Sequence, residues 1–209
     1  MTNTKPIWYF DFISPYAYIQ FERLKQLAPD LEMEFKPVLF AGLLKNWGHK
    51  GPVEIPAKRP MTYRYCHWLA NKHNIKYQTP PSHPFNPLLP LRLSIGLNND
   101  FQVIDTLFQQ IWGLGQDIAD PKTIANIQDI LQLDNLNQYV EDASVKEKLR
   151  TNTEDAIQSG VFGVPTLSIR GELFWGVDMT EMALEFLNDP AVHDSPEYDR
   201  LANLPGYQK

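Results

Sequence analysis

Residues 9–18 read YFDFISPYAY, an apolar run that stops at a Ser-Pro step. The aromatic and β-branched residues before Ser14 predict a buried strand, and we expect a helix to begin directly after it. Ser14 suits the N-cap position, where a hydroxyl accepts from free N–H groups, and Pro15 suits the first helical position. The hydroxyl would then lie at the positive end of a helix, which favours anions and thiolates. Taken alone, a Ser-Pro step is more often just the start of a helix.

Two regions of β pattern lie near the two ends of the chain. A strand over 7–12, a helix over 15–28 and a half-exposed strand over 32–38 predict a β-α-β unit. The β pattern returns in a hairpin over 166–175, which a last helix from Asp178 follows. The second half is therefore predicted to be β-β-α.

The long middle of the chain carries helix signals and loop signals only. Helical periodicity is clearest over residues 100–113, and Ser144 opens a segment with capping-box spacing. We therefore predict an α/β fold in which a thioredoxin-like pattern of β-α-β and β-β-α is divided by a large all-helical insertion. The predicted bounds are residues 1–39 and 156–209 for the discontinuous sheet domain, and residues 40–155 for the helical insertion.

Composition narrows the classes of function. The 209 residues include 19 basic and 25 acidic side chains, a net charge of −6, which argues against a nucleic-acid or membrane-surface binder. No window approaches the ~20 apolar residues of a membrane span. Asp11 interrupts the N-terminal apolar run, so this run does not match the uninterrupted apolar core of a signal peptide. We expect a cytoplasmic protein that binds neither nucleic acid nor membrane.

Cysteine and histidine patterns favour neither a disulfide nor a metal. Cys66 is the only cysteine, so an intrachain disulfide, a CxxC pair and a cysteine-rich zinc site are excluded. It lies in a helical-looking run, where a buried and inert thiol is the expectation. His67 and His73 are six residues apart and do not share a helical face, so we expect no metal site.

A second informative segment is GVFGVPT at residues 160–166, which leads into the hairpin. A proline at the start of a strand has no N–H for the ladder. A cis bond between Val164 and Pro165 would turn the backbone N–H and C=O of Val164 toward an extended peptide ligand. An ordinary trans proline fits the sequence as well, because only about 5–6% of X–Pro bonds are cis.

Together these segments resemble the DsbA-like group of the thioredoxin fold, and within it the 2-hydroxychromene-2-carboxylate isomerases and the kappa-class glutathione transferases. The resemblance covers nearly the whole chain. Its most specific motifs are FDFISPY at 10–16, PAK at 56–58, GVFGVPT at 160–166 and FWGVD at 174–178. Ser14-Pro15-Tyr16-Ala17 stands where that group has a redox CxxC, so dithiol exchange is excluded.

The resemblance implies that glutathione is the cofactor and that Ser14 is the catalytic residue. The Ser14 hydroxyl would donate a hydrogen bond to the glutathione sulfur and lower the pKa of that thiol, which is ordinarily ~8.5. A hydroxyl donor and a helix N-terminus could supply a shift of one to two units, roughly 1.4–2.8 kcal/mol. Val164, the residue before Pro165, would pair through its backbone with the cysteinyl part of glutathione.

The resemblance also implies contacts at both ends of the tripeptide. Lys58 would meet the glycyl carboxylate, although a solvated loop lysine is the ordinary interpretation. The N–H of Val177 and the carboxylate of Asp178 would hold the γ-glutamyl end, and Asp178 with Glu181 also has the spacing of a helix cap. The families usually place an asparagine nine residues before the lysine, where this chain has His49, whose charge can change near neutral pH.

In the isomerases that the chain resembles, the glutathione thiolate adds to a conjugated bond of an aromatic hydroxy-acid and leaves after rotation about that bond. Tyr16, Phe40, Trp47 and Tyr63 are candidates for an apolar slot that binds a small aromatic substrate, although each is more often a core residue.

Three functions compete for this chain. They are a glutathione-dependent cis–trans isomerase of aromatic catabolism, a kappa-like transferase, and a non-catalytic glutathione-binding protein. The presence of the whole set of motifs argues against the third. The resemblance also implies a homodimer.

Overall fold

The computed structural model describes residues 5–205, which fold around a four-stranded sheet in the order β2-β1-β3-β4. The strands are β1 (Ile7–Phe10), β2 (Glu34–Pro37), β3 (Thr166–Ile169) and β4 (Glu172–Trp175). Strand β1 pairs in parallel with β2 and antiparallel with β3, and β3 and β4 form an antiparallel hairpin. The prediction of an α/β fold, with β-α-β and β-β-α parts divided by helices, is confirmed.

Helices connect and cover the sheet. Helix α1 (Pro15–Leu27) links β1 to β2, and α9 (Thr180–Asn188) follows β4, before α10 (Pro196–Ala202). Between β2 and β3 lie α2 (Phe40–Trp47), α3 (Arg59–Lys72), α4 (Leu88–Gly96), α5 (Phe101–Phe108), α6 (Pro121–Ile130), α7 (Asn137–Val140) and α8 (Ala143–Gln158). The division into residues 1–39 with 156–209 and residues 40–155 stays a prediction, and its second boundary falls inside α8.

Two helix ends differ from their predictions. The helix predicted over 100–113 is α-helical only through Phe108, and a π-helical turn continues it over Gln109–Gly113. Ser144 does not cap α8, because Asp142 does: its carboxylate accepts from both the N–H and the hydroxyl of Ser144 at 2.6 Å. A charged acceptor two residues upstream outcompetes the serine hydroxyl for the free N–H groups.

Alternation along β1 buries both faces of the sheet. Trp8 and Phe10 point to one face, where their rings stack with centroids 4.5 Å apart, and Tyr9 points to the other. Helices α1 and α5 contribute aromatic side chains to the first face, and α2 and α8 cover the second. The end of β1, where the Ser-Pro step begins, is therefore fixed from both sides. Between residues 5 and 205, no helix combines the length and apolar character that a membrane crossing needs.

Candidate functional site

The Ser-Pro step is the N-terminus of α1, as predicted. Ser14 is the N-cap, and its hydroxyl oxygen accepts from the N–H of Ala17 at 3.2 Å. The same hydroxyl donates to the carbonyl oxygen of Val164 at 3.4 Å. Only 6% of the Ser14 surface is exposed, so the hydroxyl lies in a fixed position between α1 and the loop before β3.

The loop before β3 contacts the end of β4 and the end of α2. The Val164–Pro165 bond is cis, and the Pro165 carbonyl accepts from the N–H of Gly176 at 2.9 Å. The indole N–H of Trp47 donates to the Val161 carbonyl at 3.0 Å. The structure therefore brings together three segments that the sequence singles out: the start of α1, the GVFGVPT loop and the turn after β4.

Asp178 lies in a short 3-10 turn, Val177–Met179, that precedes α9. The N-cap of α9 is Met179, without a side-chain bond, so the capping alternative for Asp178 is wrong. The exposed Asp178 carboxylate instead bends back over Gly176, where a Cβ would meet Oδ1 at 2.5 Å. Gly176 also has a φ of +92°, which favours glycine.

Gln20 of α1 fixes this turn from below. Its side-chain amide is fully buried, donates to the Gly176 carbonyl at 2.9 Å and to the Thr180 hydroxyl at 3.0 Å, and accepts from the Trp8 indole at 2.7 Å. The sequence gives no sign of this role, because a glutamine within an amphipathic helix is ordinarily exposed. Its three partners link the core, α1 and the turn that carries Asp178.

Lys58 and His49 lie on exposed segments. Lys58 precedes α3, and its carbonyl accepts from the Thr62 hydroxyl at 3.0 Å. Among the described residues, Lys58 forms no ion pair, and no hydrogen bond ties the side chain of Lys58 or His49 to Ser14. The structure thus leaves the Lys58 ammonium available to a ligand without bringing it into contact with the serine.

Asp11 is a buried acid to which the sequence assigns no role. Its carboxylate accepts from the N–H of Ile13 at 3.0 Å and from the N–H of Phe40 at 2.9 Å. Burial raises the pKa of Asp11 to about 7, although both N–H donors oppose the rise. An acid inside an apolar run is the sequence signal that marks it. The carboxylate joins the loop before Ser14 to the start of α2.

His83 is a third residue that sequence reasoning misses, after Gln20 and Asp11. It is 8% exposed, with Nε2 2.8 Å from the Ile13 carbonyl and Nδ1 2.8 Å from the Tyr63 hydroxyl. A histidine in a proline-rich loop carries no periodic signal, so only the folded chain shows its partners.

The four candidates for an aromatic slot lie on elements that adjoin the Ser14 junction. Tyr16 is on the first turn of α1, with its ring centroid 6.2 Å from that of Tyr65, and burial raises the pKa of its hydroxyl. Phe40 begins α2 and Trp47 ends it, and Trp47 is 43% exposed. Tyr63 is half-buried, and its hydroxyl forms a hydrogen bond with Nδ1 of His83.

The one cysteine is unsuited to nucleophilic chemistry. Cys66 lies on the buried face of α3, and burial raises the pKa of its thiol to about 12. At neutral pH it stays protonated, and the thiolate is the reactive form. A reaction that needs a thiolate at this site must therefore receive the sulfur from a bound molecule.

Comparison with known proteins agrees with the fold and the motifs. A family model described as a DSBA-like thioredoxin domain matches residues 7–188. The chain is 27% identical over 198 residues to a 2-hydroxychromene-2-carboxylate isomerase of Sphingobium xenophagum, which covers 89% of this chain and 100% of that protein. It is 25% identical over 213 residues to glutathione S-transferase kappa 2 of Caenorhabditis elegans, which covers 91% of this chain and 95% of that protein.

One solved structure is similar over nearly its whole length. A 2-hydroxychromene-2-carboxylate isomerase superposes with a TM-score of 0.78 at 23% identity, covering 91% of this chain and 98% of that chain. At that identity the match shows the fold. With the two relatives above, it confirms the resemblance that the motifs predict.

Proposed function

The chain belongs to the family of DSBA-like thioredoxin domains. Within this family, we propose that it is a glutathione-dependent isomerase of the 2-hydroxychromene-2-carboxylate type, like the relative of Sphingobium xenophagum. The observation that carries the proposal is the position of Ser14. Its hydroxyl caps the N-terminus of α1 beside the Val164 carbonyl, and the chain's own thiol is buried elsewhere. A hydroxyl so placed can stabilise a thiolate but cannot replace one.

The charges of Asp178 and Lys58 fit the two ends of the tripeptide. The Asp178 carboxylate is exposed over Gly176 and would accept from the ammonium of the γ-glutamyl end. The Val177 N–H would donate to a carboxylate oxygen at the same end. The exposed Lys58 ammonium would meet the glycyl carboxylate. His49, also exposed, is proposed to hydrogen-bond at that same end. Val164 would pair through its backbone with the cysteinyl residue.

When bound, glutathione would supply a thiolate that adds reversibly to a conjugated bond of an aromatic hydroxy-acid. Ser14 would turn its O–H from the Val164 carbonyl to the sulfur, and the Ala17 N–H would keep the hydroxyl oxygen in place. The partial positive charge at the start of α1 acts in the same direction, so both effects favour the anion.

The substrate is proposed to be a small aromatic compound. Tyr16, Phe40, Trp47 and Tyr63 lie on the elements around the junction and would bind its ring. Burial raises the pKa of the Tyr16 hydroxyl further above neutral pH, so the hydroxyl is protonated there. We propose, as the wider role, a step of aromatic catabolism.

The experiment that tests the proposal has a binding part and a product part. Reduced glutathione at a hundred times its dissociation constant should add ~2.7 kcal/mol of stability in a thermal-shift assay. A 2-hydroxychromene-2-carboxylate should then isomerise with glutathione unspent. No stabilisation by glutathione would refute the proposal.

A kappa-like transferase is the second candidate, favoured by the 25% identity to glutathione S-transferase kappa 2. A transferase would consume glutathione in equal amount with 1-chloro-2,4-dinitrobenzene, and an isomerase would not. Homodimer formation is a further proposal that the resemblance supports, and light scattering measures it. The cytoplasmic location stays a prediction of the sequence.

A further inference from the structure

The two peptide planes that precede Ser14 are each held at both ends. In the first, the Phe12 carbonyl accepts from the Trp112 indole at 2.8 Å, and the Ile13 N–H donates to the Asp11 carboxylate at 3.0 Å. In the second, His83 Nε2 lies 2.8 Å from the Ile13 carbonyl, and the Ser14 N–H donates to the Asp11 carbonyl at 3.0 Å. Because a peptide unit is planar, two such bonds fix its orientation.

The second plane determines where the Ser14 hydroxyl can point. It contains the Ser14 nitrogen and Cα, so once it is fixed the position of the hydroxyl oxygen depends only on the φ and χ1 angles of Ser14. The cap bond from Ala17 and the α1 helix then restrict those angles. The hydrogen bond from His83 to Ile13 therefore helps to determine the direction of the Ser14 hydroxyl.

The protonation of His83 follows from its two neighbours. The Ile13 carbonyl oxygen can only accept, so Nε2 carries the hydrogen. Neutral Nδ1, at 2.8 Å, is the nearer of two acceptors for the Tyr63 hydroxyl, the other being the His83 carbonyl oxygen at 3.3 Å. Burial lowers the pKa of His83. The hydrogen bond to the Ile13 carbonyl opposes this decrease, and the nearby Arg59 guanidinium, which donates to the His83 carbonyl at 2.7 Å, adds to it. The neutral ring packs edge-on against Trp112, with centroids 5.2 Å apart.

We propose that His83 is a positioning residue for Ser14, which it orients by donating from Nε2 to the Ile13 carbonyl while the Tyr63 hydroxyl holds the ring in that tautomer. The inference rests on the proposed function, since its consequence is read at the glutathione thiol. The inference also gives Tyr63 a second role besides binding the aromatic ring of the substrate. A residue of the predicted helical insertion, residues 40–155, would thereby help to set the geometry of Ser14, which lies in the predicted sheet domain.

Two variants separate the hydrogen bond from the packing of the ring. His83→Phe keeps an aromatic ring against Trp112 and loses both hydrogen bonds. His83→Gln places an amide N–H the same number of bonds from Cα as Nε2, so it can still donate to Ile13. His67→Phe is the matched control, because His67 is exposed and, within residues 5–205, the Thr79 hydroxyl at 3.3 Å is the one hydrogen-bond partner of its Nε2.

The readouts are the pKa of the bound thiol and the separate values of kcat and KM. His83→Phe should raise the thiol pKa and lower kcat by about tenfold or more, with the KM for glutathione within about threefold, since misplacing a catalytic group affects mainly the chemical step. His83→Gln should recover most of the loss, and His67→Phe should match the wild type. Wild-type values for His83→Phe, or equal defects in His83→Phe and His83→Gln, would overturn the inference.

Two further measurements keep the inference separate from the proposed function. Nitrogen-15 spectra of the glutathione-free protein should show His83 as the neutral Nε2–H tautomer, and a proton on Nδ1 would overturn the inference whatever glutathione does. A wild type that leaves the glutathione thiol pKa unchanged would instead refute the proposed function. Should His83→Phe fail to fold, His83→Asn replaces it. The side-chain nitrogen of asparagine is one bond closer to Cα than Nε2 of histidine, so it does not reach the Ile13 carbonyl.

Discussion

The Ser14 hydroxyl donates to the carbonyl oxygen of Val164 across 3.4 Å, and so joins two segments that lie 150 residues apart in the chain. Hydroxyl-to-oxygen bonds are ordinarily ~2.7–2.8 Å long, so this one is weak. A charged acceptor forms a stronger bond than a distant carbonyl. A sulfur anion placed near Ser14 would therefore replace the Val164 carbonyl as the acceptor of the hydroxyl hydrogen bond at little cost.

Ser14→Ala should raise the pKa of the bound glutathione thiol by about one unit, because the N-terminus of α1 keeps its share of the shift, and leave most of the affinity for the tripeptide. Ultraviolet titration of the bound thiolate measures this pKa. The substitution also removes a helix cap, which costs ~1 kcal/mol. Ser195→Ala is the matched control, because Ser195 caps α10 before Pro196 in the same way, with an N–H bond of 3.2 Å. An unchanged thiol pKa in Ser14→Ala would show that the hydroxyl does not act on the sulfur.

Lys58→Met should weaken glutathione binding about 3- to 10-fold, because an exposed cation contributes a modest charged contact. The glycyl ethyl ester of glutathione, whose glycyl end carries no charge, should bind the wild type and Lys58→Met equally well. Calorimetric titration of both ligands with both proteins gives the coupling energy directly. Lys50→Met is the control, since Lys50 is an exposed lysine of the preceding loop. If Lys58→Met lost the same affinity for both ligands, Lys58 would not contact the glycyl carboxylate.

The buried carboxyl of Asp11 should make stability depend on pH. Its pKa rises from 3.8 to about 7 on folding, so the folded state binds more protons in that interval. The contribution to stability is fully present below about pH 4, is lost as the pH rises toward about 7, and then levels off. Asp11→Asn cannot titrate, so the difference in unfolding free energy between the two proteins should follow this course. A difference that grows with pH would mean that Asp11 is already ionised in the folded protein at low pH.

Gln20→Leu should destabilise the fold by about 2–4 kcal/mol, because it leaves the buried Trp8 indole and the Gly176 carbonyl without partners. Chemical denaturation measures this loss. Because the same amide fixes the turn that carries Asp178, affinity for glutathione should fall as well. Gln26→Leu is the control, since Gln26 is exposed on α1. A stable variant with reduced affinity only, or no change in either, would contradict the linking role of Gln20.

Local patterns predict much of this fold. Alternation in β1, the Ser-Pro cap of α1 and the hairpin of β3 and β4 each depend on neighbours in sequence, and each is found in the structure. Ser144 shows the limit of such patterns, because a competing acid two residues before it takes the cap.

The supports of the junction could not be predicted in this way. Asp11 meets Phe40 across 29 residues of sequence, and His83 meets Ile13 across 70. In each pair the partner is a backbone group, which leaves no mark in the residue type. Such contacts exist only after the sheet and the helical segment have packed together.

The most direct test is a crystal structure of the wild-type chain with reduced glutathione. The sulfur should lie within hydrogen-bond distance of the Ser14 hydroxyl, and the cysteinyl backbone should pair with Val164. Glutathione bound elsewhere, or with its sulfur turned away from Ser14, would contradict the account.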